Sequence, residues 1–161
     1  MASREERMEI RIDDLSGREI AEFLEEHIEE MKAVNRGGPE SKHALDLEGL
    51  RAPDITFWSV WDEGALVGCG ALKELDPRSA ELKSMRTASS HRRSGVASLL
   101  LEHMLNVARE RGYRSVSLET GSYAALAPAR ALYEKFGFEY CGPFADYKED
   151  SNSVFMTKAL A

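Results

Sequence analysis

The hydrophobic pattern changes its period near the middle of the chain. Residues 81–87 alternate only weakly, because Lys83 and Met85 share a face, and they predict a strand. After residue 95 the apolar positions recur at helical spacing and form one stripe: Ala97, Leu100, Leu101, Met104, Leu105 and Ala108. A basic, glycine-bearing stretch, Arg92-Arg93-Ser94-Gly95, lies between the two patterns. The pattern therefore predicts a strand, a short loop and a long amphipathic helix.

The remaining segments follow the same two periods. Residues 8–13, 55–61, 66–75, 115–120, 138–141 and 153–159 have the alternation or the composition of strands. A helix is predicted to begin after a capping residue, Asp14 or Ser16, and to continue through Met31. Shorter helices are predicted over residues 40–50 and 128–136.

The resulting order of elements is β-α-α-β-β-β-α-β-α-β-β. A strand–helix–strand unit within this mixed order predicts an α/β fold, in which helices flank a sheet. Ligands bind in such a sheet where neighbouring strands diverge. Neither an internal repeat nor a linker divides the chain, so residues 1–161 are predicted to form a single domain.

The loop before the long helix is a predicted anion site. The first N–H groups of a helix lack intrahelical partners, and the helix dipole adds positive potential there. Arg92 and Arg93 supplement that potential, and Gly95 has no Cβ to keep a ligand from the main chain. Phosphate fits such a site best. The spacing is that of neither a nucleotide P-loop nor a dinucleotide fingerprint, and a solvated basic helix start is the alternative.

Composition and charge narrow the classes of function. The chain carries a formal net charge of −7 and has 43% hydrophobic and 30% charged residues. This balance argues against a nucleic-acid binder, which needs a basic face, and favours a small anionic ligand at the one basic loop. Cys69 and Cys141 lack C-x-x-C spacing, which fits a reducing compartment. No signal-peptide pattern and no apolar run of roughly 18 residues appear, so a soluble, cytoplasmic protein is predicted.

Two stretches resemble signatures of the GNAT family of acyltransferases. Arg92, Gly95 and Ala97 occupy the defined positions of Arg/Gln-x-x-Gly-x-Gly/Ala. The segment 129–138 resembles Ala-x-x-Leu-Tyr-Glu-x-x-Gly-Phe at every defined position. Further segments look like a small single-domain bacterial subgroup without a defined substrate, among them Lys83-Ser-Met-Arg-Thr87 and Gly142-Pro-Phe-Ala-Asp-Tyr147. The chain is thus similar to GNAT N-acetyltransferases over nearly its whole length.

The resemblance implies a GNAT-like fold, with a mixed, mostly antiparallel central sheet that is splayed at the acyl-CoA site. Acetyl-CoA is the implied cosubstrate, and its implied binding residues are Met85, Arg86, Thr87, Arg92, Arg93, Ser94, Gly95, Val96, Ala97 and Ser98. The backbones of Met85 and Thr87 are expected to bond the pantetheine arm. Tyr133 is implied to lie near the coenzyme sulfur and to protonate the leaving thiolate. Leu126 stands where the family frequently has an asparagine, which leaves that residue's pantetheine contacts open.

Acetyl transfer to an amine also needs a base, because an amine with a pKa of about 10.4 is protonated at neutral pH. Glu119 lies in a Leu-Glu-Thr segment similar to a GNAT Leu-Glu-Val and is the first candidate, and Glu81 is the second. A structural ion pair or an exposed strand carboxylate is the alternative for Glu119. His27 and His43 are expected to lie at the acceptor site and to act through water, although lone histidines are more often ordinary surface or core residues.

The predicted function is an acetyl-CoA-dependent N-acetyltransferase that moves an acetyl group to the primary amine of a small molecule by direct attack. Neither cysteine has the neighbours that favour a covalent acyl intermediate, and no metal-ligand spacing predicts a metal. Two alternatives remain, an acyl-CoA sensor without turnover and a peptide or protein N-acetyltransferase. No nucleic-acid or membrane partner is expected, and a homodimer remains open.

Overall fold

The computed structural model describes residues 7–34, 47–91 and 95–160. The strands are β1 (Met8–Ile12), β2 (Ile55–Asp62), β3 (Ala65–Asp76), β4 (Ser79–Thr87), β5 (Ser115–Gly121), β6 (Glu139–Cys141) and β7 (Ser153–Ala159). The helices are α1 (Arg18–Val34), α2 (Leu47–Leu50), α3 (Val96–Glu110) and α4 (Ala127–Lys135). Short 3₁₀ turns at Ser89–His91 and Ala124–Leu126 precede α3 and α4.

The sheet confirms the predicted fold class. Its strand order is β1-β2-β3-β4-β5-β7-β6, and every neighbouring pair is antiparallel except β4 and β5. The predicted order of elements is found, with small differences at their ends. Within the second predicted helix, residues 47–50 are helical as α2, and residues 40–46 lie outside the described residues.

Helices cover both faces of the sheet. On one face, α3 and α4 pack with the strands in a single cluster that includes Leu82, Val96, Leu100, Met104, Leu118 and Tyr133. On the other face, α1 and α2 cover β2 and β3 in a second cluster that includes Leu15, Ile20, Phe23, Leu50, Phe57 and Ala71. The stripe predicted for α3 is confirmed at five positions, and Val96 is buried in place of Ala97. No helix among the described residues has both the length and the apolar character of a membrane span.

A β-bulge interrupts β4 at Ser84. Cys69 of β3 pairs with Arg86, whereas Ala71, two residues further, pairs with Lys83. Since β4 uses three residues where β3 uses two, one residue of β4 is inserted. Ser84 has a positive φ of 55°, and its carbonyl accepts a 3.3 Å hydrogen bond from the Cys69 thiol.

The bulge places Lys83 and Met85 on opposite faces. The Lys83 ammonium lies 2.9 Å from the carboxylate of Glu81, so these two side chains share a face. Met85 packs against the cluster under α3. The predicted common face of Lys83 and Met85 is therefore wrong, because simple alternation does not count the inserted residue.

The two parallel strands separate halfway along their length. β4 pairs with β5 only from Ser79 to Leu82, opposite Ser115 to Leu118. Beyond these pairs, β4 continues to Thr87 beside β3, and β5 continues to Gly121 beside β7. The sheet is therefore open between the carboxyl ends of β4 and β5, where ligands bind in sheets of this class.

Candidate active site

The start of α3 follows the carboxyl end of β4 and has backbone donors that no described residue pairs. Gly95 is its N-cap, with a left-handed φ of 85°, and no described side chain caps the helix. The first helical bond runs from the Leu99 N–H to the Gly95 carbonyl at 2.9 Å. The N–H groups of Val96, Ala97 and Ser98 therefore precede the helical ladder and point out of the helix end, where the dipole favours an anion.

Gly95 suits this position for two physical reasons. A left-handed φ is strained in a residue with a Cβ, and glycine avoids that strain. A Cβ added at Gly95 would also meet no atom of the described residues within 4 Å, apart from its chain neighbours, so these residues leave space beside the main chain. A ligand can therefore approach the backbone closely. The other predicted loop residues, Arg92, Arg93 and Ser94, lie outside the described residues.

The edge of β4 that faces the opening carries free backbone groups. The Ala88 N–H donates to the Val67 carbonyl at 2.8 Å, which directs Ala88 toward β3. Because successive strand residues direct their N–H and C=O groups to opposite edges, Met85 and Thr87 direct theirs away from β3. Among the described strands, none pairs with β4 on this side beyond Leu82. An amide-bearing ligand can satisfy these groups.

Arg86 turns away from the opening and toward α1. Its side chain is 6% exposed, donates to the Phe23 carbonyl and lies 2.8 Å from the Glu30 carboxylate. The guanidinium lies over the Phe23 ring, 4.3 Å from its centroid. Its buried Nε finds no hydrogen-bond partner among the described residues. Arg86 thus joins α1 to β4, and its side chain contacts α1.

His27 lies on α1 and is half-buried. Burial, and secondly the charge of Arg86, lower the pKa of His27 to about 4, against an opposing effect of Glu30. The imidazole is therefore neutral at physiological pH and can accept a hydrogen bond or a proton. The second predicted histidine, His43, lies outside the described residues.

Tyr133 projects from α4 into the core cluster that Met85 also contacts. It is 7% exposed, and its ring packs edge-on against Phe138 at 5.8 Å between centroids. Burial raises the pKa of Tyr133 well above its ordinary value, so the phenol stays protonated and can donate a hydrogen bond. Its helix is held in place by Arg130, which donates to the Gly121 and Tyr123 carbonyls at 2.7 and 2.9 Å.

Both predicted base candidates lie on one face of the opening. Glu81 and Ser117 are direct neighbours in the parallel register, and Glu119 follows Ser117 on the same side of β5. This side is opposite Leu82 and Leu118, which face α3. We call it the carboxylate face, defined by Glu81, Lys83 and Glu119.

The two carboxylates have different surroundings. Glu81 is 3% exposed and accepts hydrogen bonds from the Lys83 ammonium, at 2.9 Å, and from the Tyr147 hydroxyl. Glu119 is half-buried and accepts a 2.7 Å hydrogen bond from the Ser153 hydroxyl. Glu81 is therefore neutralised by a cation, whereas the described residues give Glu119 a neutral partner only.

Tyr147 comes from the segment between β6 and β7 and reaches over the carboxylate face. Burial, the hydrogen bond to Glu81 and the charges of Glu81 and Glu119 all raise the pKa of Tyr147. Its ring packs with Phe144 and Phe155 at 5.1 and 5.6 Å between centroids. The hydroxyl thus lies near both carboxylates. The packed rings of Phe144, Tyr147 and Phe155, which we call the aromatic wall, border them.

Sequence reasoning did not assign Lys83, Tyr147 or Ser153 to the site. Lys83 and Tyr147 are separated by 64 positions, and Glu119 and Ser153 by 34. No spacing rule joins residues so far apart. The available signal was the resemblance of the segments 83–87 and 142–147 to one GNAT subgroup, which marks both segments without pairing them.

The chain is similar in sequence to known acetyltransferases. Residues 17–138 match the family model described as "Acetyltransferase (GNAT) family". The uncharacterized N-acetyltransferase YsnE of Bacillus subtilis (strain 168) is 59% identical over 153 residues, covering 95% of this chain and 100% of that protein. The uncharacterized N-acetyltransferase YedL of Escherichia coli (strain K12) is 48% identical over 151 residues, covering 94% of each.

Solved structures share the fold at low sequence identity. An acetyltransferase from Streptococcus agalactiae 2603 has a TM-score of 0.78 at 20% identity, covering 96% of this chain and 99% of that chain. An aminoglycoside 6'-N-acetyltransferase complexed with coenzyme A has a TM-score of 0.68 at 15% identity, covering 94% and 96%. The chain is therefore an acyltransferase and belongs to the GNAT family of acetyltransferases.

Proposed function

We propose that the protein transfers an acetyl group from acetyl-CoA to the primary amine of a small molecule by direct attack. One observation carries the proposal: the opening between β4 and β5 has free backbone groups along one edge and the carboxylates Glu81 and Glu119 on one face. A thioester threaded through the opening would meet an amine held on the carboxylate face. Proximity of the two reactants supplies much of the acceleration in such a reaction.

The coenzyme binds at the start of α3 and along β4. The pyrophosphate accepts hydrogen bonds from the backbone around Gly95, Val96 and Ala97, with Arg92 and Arg93 adding positive charge. The pantetheine amides pair with the backbone of Met85 and Thr87. The neighbour complexed with coenzyme A shares this fold, which supports the same ligand class here.

Glu119 accepts the proton of the attacking amine, directly or through one water. Deprotonating an amine with a pKa of about 10.4 costs about 4–5 kcal/mol at neutral pH, which a nearby carboxylate offsets in part. Glu119 suits this role better than Glu81, because Lys83 and Tyr147 already occupy the Glu81 carboxylate. His27, neutral beside Arg86, is a candidate for holding the water on the α1 side.

As the nitrogen–carbon bond forms, the carbon–sulfur bond breaks, and the departing thiolate takes a proton from Tyr133. The raised pKa of Tyr133 keeps that proton in place until the sulfur gains charge. Direct attack is also favoured over an acyl intermediate on Cys69. The thiol of Cys69 is fully buried, and burial raises its pKa to about 12, so the nucleophilic thiolate is not formed at neutral pH.

The proposal is tested with purified protein, acetyl-CoA and a panel of small amines, short peptides and a lysine-bearing peptide. Thiol release and the mass of the product are measured together. We expect thiol release that depends on a small amine, with an acetylated product. Coenzyme binding without thiol release would favour the sensor, and turnover with peptides alone would favour a peptide or protein acetyltransferase.

A further inference from the structure

The carboxylate face contains a buried ion pair that the reaction does not use. The side chains of Glu81 and Lys83 are 4% and 10% exposed, and their charged groups are 2.9 Å apart. Tyr147 donates to the same Glu81 oxygen and accepts from the Lys83 ammonium at 3.0 Å. A buried ion pair is tolerated when its members are mutually hydrogen-bonded, and here all three partners are.

This pair changes the charge that an acceptor meets. The charged groups around the Tyr147 hydroxyl include Glu81, Lys83 and Glu119, whose formal charges sum to one negative charge. Without Lys83 they would carry two. The exposed charges of the adjacent loop, such as Lys148 and Glu149, are screened by solvent and act more weakly.

We infer that Lys83 determines acceptor specificity, because it neutralises Glu81 and leaves Glu119 as the single unpaired charge of the carboxylate face. The site then admits an amine with one positive charge and discriminates against a dication. A second ammonium would meet the Lys83 cation instead of a carboxylate. This inference rests on the proposed function, in which Glu119 receives the acceptor amine.

The aromatic wall indicates what kind of group the acceptor carries beyond its amino group. Phe144, Tyr147 and Phe155 pack together beside Glu119, which pairs with Phe155 in the sheet. Phe144 and Tyr147 are only half-buried, so their rings can contact a bound molecule. The predicted acceptor class is therefore a monoamine carried on an apolar or aromatic group.

The experiment compares kcat/KM for n-hexylamine with that for the unbranched diamine of the same length, counted per amino group. Wild type is expected to prefer the monoamine by roughly tenfold or more. Lys83→Met should shift this ratio toward the diamine by roughly 10- to 100-fold. The assay is run at about pH 8.5, where both amines remain protonated.

The charge-balanced double variant is the matched control. Glu81→Gln combined with Lys83→Met restores the single negative charge without the ion pair, so its ratio should return to within about threefold of wild type. A merely structural role of Lys83 would instead lower both rates together and leave the ratio unchanged. Coenzyme affinity and the unfolding midpoint of each variant report whether the fold is intact.

Wild type alone provides a second test that needs no variant. The disadvantage of a diamine should decrease as its chain lengthens and the second charge reaches solvent. Equal use of monoamine and short diamine by wild type, or an unchanged ratio in a folded Lys83→Met protein, would overturn the inference and leave amine acetylation standing. Failure of every amine to release thiol would instead contradict the proposed function.

Discussion

The two sides of the opening between β4 and β5 are built in different ways. The side that faces α3 presents backbone groups from short contiguous segments, the helix start at Gly95 and the strand edge at Met85 and Thr87. The carboxylate face presents side chains from distant segments. Tyr147, which donates a hydrogen bond to Glu81 on this face, is 66 positions from it in the sequence. A backbone site can recognise any ligand with a pyrophosphate and amides. A side-chain site responds to the identity of each residue, so we expect the specificity for the acceptor to depend on the carboxylate face.

Gly95→Glu disrupts the backbone site at the start of α3, and we expect it to lower coenzyme affinity more than any other substitution considered. The new carboxylate would lie beside the phosphate groups, and repulsion across a few ångströms weakens coenzyme affinity by roughly a thousandfold. Gly112→Glu is the matched control, because Gly112 also has a φ of 85° and open space around it, at the other end of α3. Both variants should lose about 1–2 kcal/mol of unfolding free energy from left-handed strain.

Calorimetric titration of coenzyme A into both variants separates charge at the site from strain in the helix. Equal affinities of the two folded proteins would remove the start of α3 from the coenzyme site. A selective loss in Gly95→Glu would support the backbone site at the start of α3.

The same contrast explains what the sequence could predict. The long helix follows from local periodicity, and its buried stripe from Leu100 to Ala108 is confirmed. The bulge at Ser84 could not be predicted, because its carbonyl is held by Cys69 from another strand. Without the bulge the pattern assigned Lys83 to the face of Met85, and the ion pair with Glu81 remained hidden.

The candidate residues divide in the same way. Gly95 and Tyr133 lie in contiguous motifs, where a helix start or a helix end constrains the neighbours in sequence. Arg86 was expected at the coenzyme site, yet its side chain contacts α1 through Phe23 and Glu30, and neither contact leaves a local signal. Contacts between distant segments depend on the assembled fold, so local patterns cannot supply them.

Tyr133→Phe tests whether the core on the α3 side also takes part in chemistry. The variant keeps the buried ring and removes only the proton donor, so turnover should fall by roughly 10- to 1000-fold with little change in coenzyme affinity. Tyr113→Phe is the control, because Tyr113 belongs to the same core cluster and its hydroxyl bonds Glu74 instead. Single-turnover kinetics measure the chemical step directly. Similar turnover in both variants would make Tyr133 a packing residue.

Glu119→Gln tests the carboxylate face. We expect kcat/KM to fall by roughly 10- to 100-fold and the acidic limb of its pH profile to vanish or shift, while coenzyme affinity stays nearly constant. Ser153→Ala removes the neutral partner of Glu119 and keeps the carboxylate, so it should retain the acidic limb. An unaltered profile in Glu119→Gln would exclude it as the base. A lost limb in Glu81→Gln alone would transfer that role to Glu81.

His27 offers a smaller test on α1, because it lies near Arg86, which joins α1 to β4. Its pKa is lowered from the ordinary 6.5 to about 4, so the unfolded chain binds the additional proton between these values. The stability contributed by neutral His27 is therefore complete above pH 6.5 and is lost as the pH falls toward 4. His27→Gln should flatten the unfolding free energy over this window by about 2 kcal/mol, a value reduced for partial exposure.

Carboxylates titrate over the same range, so the difference between variant and wild-type denaturation curves is the quantity to measure. His103→Gln, which removes a histidine packed on Trp58, provides the control. Parallel curves for wild type and His27→Gln would show that Arg86 and burial do not hold His27 neutral.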